Sequence, residues 1–328
     1  MLRYFPALDT LRFLASLNIV LLHFSSSSLL SYVKGTFLGT IINTPFFNAD
    51  VFFLLSGFIY SILFSRRERI PELKVFMKER FKRLYPLHII CTLIIFAITI
   101  WRTHHLDNTV YAIKSLALHI SLLWAFVPEM GFRLNQPSWA LSVFFLCYAL
   151  TPSFSKFLNK QGKKSLWLLF LISWAIYLLS VLYFGNIPNV FRGIHFFSGM
   201  LLGKLFFCKA IPLPKKALLN DLFLLLVTIL LCVNLSYHIA SPILYAALLL
   251  FLANNKGFIV TILSVSWLRS LGKVSFYAYL LHSVLIEFLH LYLDKVAQWK
   301  YNPFDKPLAT FLIIILFYGG CAVYSKLK

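Results

Sequence analysis

The most constraining feature of the sequence is a succession of apolar runs that approach the length of a membrane-crossing helix, about 20 residues. The runs lie near 11–31, 47–65, 84–101, 112–127, 139–156, 165–184, 191–208, 217–234, 239–253, 273–293 and 307–325. Only 13% of the 328 residues are charged, whereas a soluble domain carries about 25%. The sequence therefore predicts an all-α integral membrane protein rather than a soluble fold with a large core.

Positive charges between the apolar runs predict how the chain is oriented. The chain has 31 Lys and Arg against 11 Asp and Glu. On a soluble protein this excess would suggest nucleic acid, but here it falls in short loops, where Lys and Arg mark the cytoplasmic side. We therefore expect a lipid bilayer as partner and no nucleic acid. The basic clusters lie at 66–83, 156–164, 209–216 and 326–328.

The number of runs between the first two basic clusters indicates that one of them does not cross. Three apolar runs separate these clusters, and an odd number of crossings cannot join two loops on the same side. The run at 112–127 contains Lys114 and His119, so we predict a re-entrant or interfacial helix there. This leaves about ten crossings with both termini cytoplasmic. The loops are too short for an appended soluble domain, so 1–328 is predicted to form a single membrane domain.

Two costly polar residues share one face of the first predicted membrane helix. Arg12 and His23 lie eleven residues apart, which is about three helical turns and a rise of ~16 Å. An ionisable group deep in a membrane costs about 2.5–3.5 kcal/mol and usually faces a cavity or a partner. Taken alone, Arg12 could extend to the inner interface, and His23 could be a hydrogen-bonded core histidine. Their shared face favours a functional role for both.

The second membrane helix carries two further candidate features. Asp50 lies at its outer start, where an antiparallel neighbour could bring it to His23 and fix the tautomer of that ring; a helix N-cap is the simpler alternative. Ser56-Gly57 follows nearly two turns later. Such a small pair permits close approach by a ligand chain or, more commonly, by another helix.

Other candidates lie at the cytoplasmic side and in a later helix. Arg80 and Arg83 fall one turn apart and could clamp phosphate groups, or could simply contact lipid head groups. His282 is a second mid-membrane histidine, for which a satisfied core position is the simpler interpretation. The five cysteines form no CxxC pair, so we predict neither a metal site nor a disulfide framework.

Several of these segments together resemble the acyltransferase type 3 family of integral membrane acyltransferases. The matching segments occur in the family's order and span almost the whole chain. They are Leu8-Asp9-Thr10-Leu11-Arg12 through His23, Asp50 through Phe58, Arg80 through Arg83 with Tyr85-Pro86, Asn135 through Ser142, and Leu271 through His282. The resemblance implies ten membrane helices in a bacterial-type inner (cytoplasmic) membrane, with a cytoplasmic acyl-CoA donor and a hydroxyl acceptor, commonly on a cell-surface glycan.

The resemblance also assigns roles to individual residues. The expected catalytic residues are His23, Asp50 and Arg12. The expected acyl-CoA-binding residues are Arg80, Arg83, Ser56 and Gly57, and the expected supporting residues are Asp9, Trp139, Ser142 and His282. One departure stands out, because the family typically has a Glu where this chain has Phe144.

The resulting prediction is a membrane O-acyltransferase, most simply an O-acetyltransferase, with acetyl-CoA as donor substrate and no bound cofactor. The acceptor would be a hydroxyl of an extracytoplasmic or lipid-linked polysaccharide. Two alternatives stay open at this point. Intramembrane Arg, His and Asp also suit a glycan or small-molecule transporter or flippase, and the missing Glu would suit a non-catalytic scaffold or sensor.

Overall fold

The fold consists of helices throughout the part of the chain that can be placed. The computed structural model describes residues 4–26, 33, 35, 36, 39, 42, 49–103, 106–127, 134–184, 189–233, 240–296 and 307–327. Within these ranges every regular element is a helix. The prediction of an all-α protein is therefore confirmed.

A helix lies at each of the predicted apolar runs. In chain order they are α1 (Pro6–Ser26), α2 (Ala49–Ser65), α3 (Leu73–Thr103), α4 (Leu106–Ile120), α5 (Trp139–Asn159), α6 (Lys163–Phe184), α7 (Gly193–Phe207), α8 (Ala217–Val233), α9 (Ser241–Ala253), α10 (Phe258–Leu263), α11 (Ser266–Val296) and α12 (Pro307–Leu327). Short 3-10 segments cover Trp124–Phe126, Gln136–Ser138 and Asn189–Arg192. The short helix α10 is the element that the apolar runs did not predict.

Two helices begin earlier than their apolar runs. α1 starts at Pro6, a residue whose fixed φ suits the first helical position, and not near 11. α3 starts at Leu73, so most of the basic stretch 66–83 lies on a helix and not in a loop. The physical reason is that hydropathy marks only the part of a helix inside the hydrocarbon, while polar end turns extend beyond it.

Length and composition divide the helices into two groups. Among the described residues, six helices are long and apolar enough to cross a bilayer, namely α1, α3, α5, α6, α11 and α12. Shorter apolar helices of 10–17 residues include α2, α7, α8 and α9. At a rise of 1.5 Å per residue, these shorter helices are about 15–25 Å long. The chain is a multi-pass helical membrane protein, and the count of about ten crossings stays a prediction.

The described helices cluster into two compact units, each assembled from separated chain segments. The first unit comprises Met1–Ala15, Phe46–Met77 and Leu146–Lys273, and the second comprises Ser16–Pro45, Lys78–Phe145 and Val274–Lys328. Segments from the start, middle and end of the sequence thus contribute to the units. The expectation of a single domain over 1–328 stays a prediction.

Glycines allow α2 and α7 to cross in close contact inside the first unit. A Cβ on Gly57 would lie 1.8 Å from the carbonyl oxygen of Phe196, and one on Gly199 would lie 2.0 Å from that of Leu54. Gly203 follows Gly199 by one turn, and a Cβ on Gly203 would lie 2.5 Å from the carbonyl oxygen of Phe58. Small residues four apart permit this approach of two membrane helices.

Candidate active site

Arg12 is held by an acidic neighbour one turn earlier on α1. Its Nη1 donates to Oδ1 of Asp9 at 2.7 Å, and the hydroxyl of Tyr4 donates to the other oxygen of that carboxylate. Partial burial, together with the Asp9 carboxylate, raises the pKa of the Tyr4 hydroxyl, so the phenol stays a donor at neutral pH. Asp9, expected only as a supporting residue, therefore orients the Arg12 guanidinium.

Gly272, at the start of the motif from Leu271 to His282, packs against the turn of α1 that carries Asp9. A Cβ at Gly272 would lie 2.0 Å from the carbonyl oxygen of Asp9. Only glycine lets the start of α11 approach α1 this closely within the first unit. The Leu271-Gly272-Lys273 segment thus acts through backbone contact.

His23 lies eleven residues further along α1, in the second unit, where it meets His282. The two ring centroids are 5.0 Å apart and the rings are tilted by 33°. His282, on α11, is fully buried, whereas His23 is half-buried. The structure therefore brings together two histidines that are 259 residues apart in sequence.

The hydrogen bonding of His282 defines its tautomer. Its Nδ1 lies 2.7 Å from the carbonyl oxygen of Tyr279. Since a carbonyl can only accept, Nδ1 carries the proton and Nε2 carries a lone pair. That Nε2 is buried and has no hydrogen-bond partner among the described residues. His282 consequently offers an acceptor nitrogen within the second unit.

Asp50 forms a buried ion pair that the sequence did not predict. Its Oδ2 accepts a hydrogen bond from Nη1 of Arg192 at 2.7 Å, and its Oδ1 lies 3.8 Å from Nε2 of His195. The Asp50 side chain is only 4% exposed. This pair joins the start of α2 to the 3-10 turn that precedes α7. The expected pairing of Asp50 with His23 stays a prediction.

Ser56 and Gly57 occupy different surroundings on α2. Gly57 packs against the α7 backbone at Phe196, which is the helix-packing role that the sequence left open. Ser56 is half-buried. Contact of this pair with an acyl-CoA chain stays a prediction.

Arg80 and Arg83, predicted to face the cytoplasm, lie on the second and third turns of α3. Arg80 is half-buried and donates to Glu79 at 3.3 Å, while Arg83 is exposed. Their spacing of three residues places both guanidiniums on one side of the helix. The arrangement suits a phosphate group, and binding of CoA phosphates by the pair stays a prediction.

The Asn135–Ser142 motif forms a turn that leads into α5. Trp139 starts this helix, and Ser142, one turn later, is 2% exposed with a hydroxyl that has no partner among the described residues. The hydroxyl of Tyr279 donates to the carbonyl of Pro137 at 2.7 Å. Two motifs of the resemblance, on α5 and α11, are thereby joined in the second unit.

Comparison with known protein families identifies the chain. The acyltransferase type 3 model, described as "Acyltransferase domain", matches residues 5–326. The chain belongs to this family. Within the described residues, no group of three His, Cys, Asp or Glu side chains could hold a metal ion.

Two proteins named as acyltransferases match parts of the chain. The acyltransferase MdmB of Streptomyces mycarofaciens is 29% identical over 167 residues, which are 49% of this chain and 42% of MdmB. The O-acetyltransferase OatA of Staphylococcus aureus strain NCTC 8325 is 35% identical over 101 residues, 29% of this chain and 15% of OatA. The matches thus span less than half of either relative. No solved structure gives a significant match.

Phe144 marks the departure from the acyltransferase pattern noted in the sequence. It is half-buried on α5, and the next residue, Phe145, packs edge-on against the Phe81 ring at 6.0 Å. An aromatic side chain therefore lies on α5 at the position where the resemblance implies a carboxylate.

Arg192 was not predicted from the sequence as a functional candidate in this family member. Arg192 lies at the start of an apolar run, as Asp50 does. The signal that could have indicated this pair was the presence of opposite charges at the starts of two predicted spans. Because the partners are 142 residues apart, local spacing could not reveal the pair.

Proposed function

We propose that this chain is a membrane O-acyltransferase, most simply an O-acetyltransferase. It would move an acyl group from cytoplasmic acyl-CoA to a hydroxyl of an extracytoplasmic or lipid-linked polysaccharide. The observation that carries the proposal is the His23–His282 pair, with ring centroids 5.0 Å apart, in a chain of the acyltransferase family. MdmB and OatA support the chemistry through their names, an acyltransferase and an O-acetyltransferase.

In this proposal His23 is the general base. It takes the proton of the acceptor hydroxyl as that oxygen attacks the thioester carbonyl. The C–S bond then breaks, and the CoA thiolate receives the same proton from His23. A route through an acyl-histidine would use the same residue as nucleophile. Both routes need His23 with one nitrogen unprotonated and directed at the reacting atoms.

His282 can supply the orientation that such a base requires. Its Nε2, which has no partner within the described part of the chain, can accept a hydrogen bond from an N–H of His23, and this leaves the other His23 nitrogen with its lone pair. The Asp50 carboxylate, expected earlier in this role, instead has Arg192 as a hydrogen-bond donor. We therefore propose His282 as a positioning residue for His23 and keep Asp50 as a candidate partner.

The donor would enter from the side of Arg80 and Arg83, which would bind CoA phosphates. Its pantetheine arm would extend towards the middle of the membrane. The ~16 Å rise between Arg12 and His23 along α1 is comparable with the length of that arm. Arg12, oriented by Asp9 at 2.7 Å, would stabilise negative charge on the donor.

The proposal is tested in cells that carry or lack the gene. Mass spectrometry of surface glycans should show O-acyl groups with the wild-type gene and lose them with His23→Ala, while the variant protein stays in the membrane. Retention of the O-acyl groups with His23→Ala would rule out the role proposed for this residue.

A transporter or flippase is the second candidate, favoured by the buried Asp50–Arg192 pair, because paired intramembrane charges also occur along transport pathways. The two functions differ in their use of the donor. Acyl transfer must release free CoA from acetyl-CoA, whereas transport consumes none.

A further inference from the structure

The second unit contains a set of buried polar groups that the proposed reaction does not use. They are His88 and Thr92 on α3, and Asn135 in the turn before α5. All three residues are fully buried. Nδ1 of His88, the hydroxyl of Thr92 and both polar atoms of the Asn135 side chain have no hydrogen-bond partner among the described residues. Such groups are normally satisfied in a native protein.

His119, at the end of α4, links two of these residues, His88 and Asn135. Its carbonyl oxygen accepts from Nε2 of His88 at 2.9 Å. Its Nδ1 donates to the carbonyl of Ser115 at 2.8 Å, so its Nε2 accepts from the backbone N–H of Asn135 at 3.4 Å. Both ring nitrogens of His119 are thus hydrogen-bonded, and the residue contacts His88 through its carbonyl and Asn135 through its ring.

The bond to the His119 carbonyl defines the tautomer of His88. Because Nε2 of His88 donates to a carbonyl, its Nδ1 carries a lone pair and can only accept. Thr92 follows His88 by four residues and therefore lies on the same face of α3. His88 and Thr92 together present an acceptor and a hydroxyl from one helix.

The backbone of Asn135 is hydrogen-bonded, whereas its side chain has no hydrogen-bond partner among the described residues. The Asn135 carbonyl accepts from the hydroxyl of Ser138 at 2.7 Å, and that hydroxyl accepts from Nε1 of Trp124 at 2.9 Å. The indole of Trp124 stacks on His119 with ring centroids 4.9 Å apart. The turn is rigidly fixed, and the carboxamide remains available as both donor and acceptor.

We propose that His88, Thr92 and Asn135 form a subsite for a hydroxylated molecule, the acceptor of the acyl transfer, and this inference rests on the proposed function. A hydroxyl both donates and accepts, so sugar hydroxyls can satisfy all three residues. The three side chains include no cation, which recognition of a carboxylate or phosphate would require. The Tyr279–Pro137 bond of 2.7 Å ties this turn to the helix that carries His282.

The test uses the full chain in lipid nanodiscs with two probes, octyl β-glucoside and octanol, which share an alkyl chain and differ in hydroxyl number. Thr92→Val removes only the hydroxyl. His88→Gln keeps a donor for the His119 carbonyl and removes the Nδ1 lone pair. Thr151→Val is the matched control, because the Thr151 hydroxyl already donates to Cys147 at 2.7 Å. Binding is measured by native mass spectrometry, and free CoA release from acetyl-CoA is measured in parallel.

The subsite predicts that Thr92→Val and His88→Gln each weaken octyl glucoside binding about tenfold, as expected for one lost hydrogen bond. Octanol binding and the Thr151→Val control should stay within about twofold of wild type. Equal glucoside binding in wild type and both variants would overturn the subsite and indicate that only water fills it. Absence of CoA release by the wild type would instead contradict the proposed function, so the two failures are distinguishable.

Discussion

At the scale of single residues, the Asp50–Arg192 pair should be the most sensitive electrostatic contact in the first unit. Both side chains are largely buried, and the N–O distance is 2.7 Å. Removing one partner leaves an uncompensated charge, which typically costs about 3–5 kcal/mol. We therefore predict that Asp50→Asn lowers the thermal stability of the detergent-solubilised protein strongly, as measured by fluorescence-detected size-exclusion chromatography after heating.

A matched control is available in the second unit. Arg102 and Glu287 form an equally short pair of 2.7 Å, but their side chains are 29% and 31% exposed. Loss of a partly exposed pair costs about 0–1 kcal/mol, so Glu287→Gln should leave stability nearly unchanged. Equal destabilisation by Asp50→Asn and Glu287→Gln would contradict the role given to burial.

The candidate site was only partly predictable from single residues. His23 and His282 could be selected because an ionisable group within a long apolar run is costly and therefore informative. Their pairing could not be predicted, since it depends on contact between helices that lie at opposite ends of the sequence. Asn135 was quoted only as part of a motif, because its significance comes from a buried carboxamide without a described partner.

At the scale of helices, the α2–α7 crossing predicts a strong response to one added methyl group. Gly57→Ala places a Cβ 1.8 Å from the Phe196 carbonyl oxygen, so the helices must separate. Overpacking of this kind costs about 1–3 kcal/mol. We expect reduced thermal stability of the purified protein, measured by the same heating assay.

Gly162 provides the control for this substitution. A Cβ at Gly162 meets no atom within 4 Å, so Gly162→Ala should lower the melting temperature only by the small loss expected when alanine replaces glycine just before a helix. If Gly57→Ala had an equally small effect, the close approach of the two helices would be contradicted.

The helices themselves were predicted more accurately than their ends. Every apolar run coincides with a helix because hydropathy reports the part that lies in hydrocarbon. The starts of α1 at Pro6 and α3 at Leu73 were placed too late, since polar residues such as Asp9 and Lys74 occupy helical turns beyond the apolar run. The short α10, of 6 residues, was missed because a run of that length gives no membrane signal.

At the scale of the whole molecule, the predicted topology depends on whether the 112–127 segment crosses. Its helical part ends at Ile120, and a 3-10 turn follows at Trp124–Phe126. If the segment is re-entrant, the turn between α5 and α6 faces the cytoplasm. A single cysteine at Gly162, in a chain whose five native cysteines are replaced by alanine, should react with an impermeant maleimide only after the cells are permeabilised.

The opposite labelling result has a direct structural meaning. A 112–127 segment that crosses adds one crossing before Gly162 and moves that turn to the outer surface. Labelling of Gly162→Cys in intact cells would therefore contradict the re-entrant assignment and the count of about ten crossings.

His23 is proposed to perform acyl transfer from acyl-CoA, with His282 as its partner at 5.0 Å between ring centroids. The most direct measurement is release of free CoA from acetyl-CoA by the purified protein in nanodiscs with a hydroxyl acceptor. We predict release by the wild type, a loss of at least about 100-fold with His23→Gln, and intermediate activity with His282→Gln. Undiminished CoA release by His23→Gln would contradict the proposed role of His23.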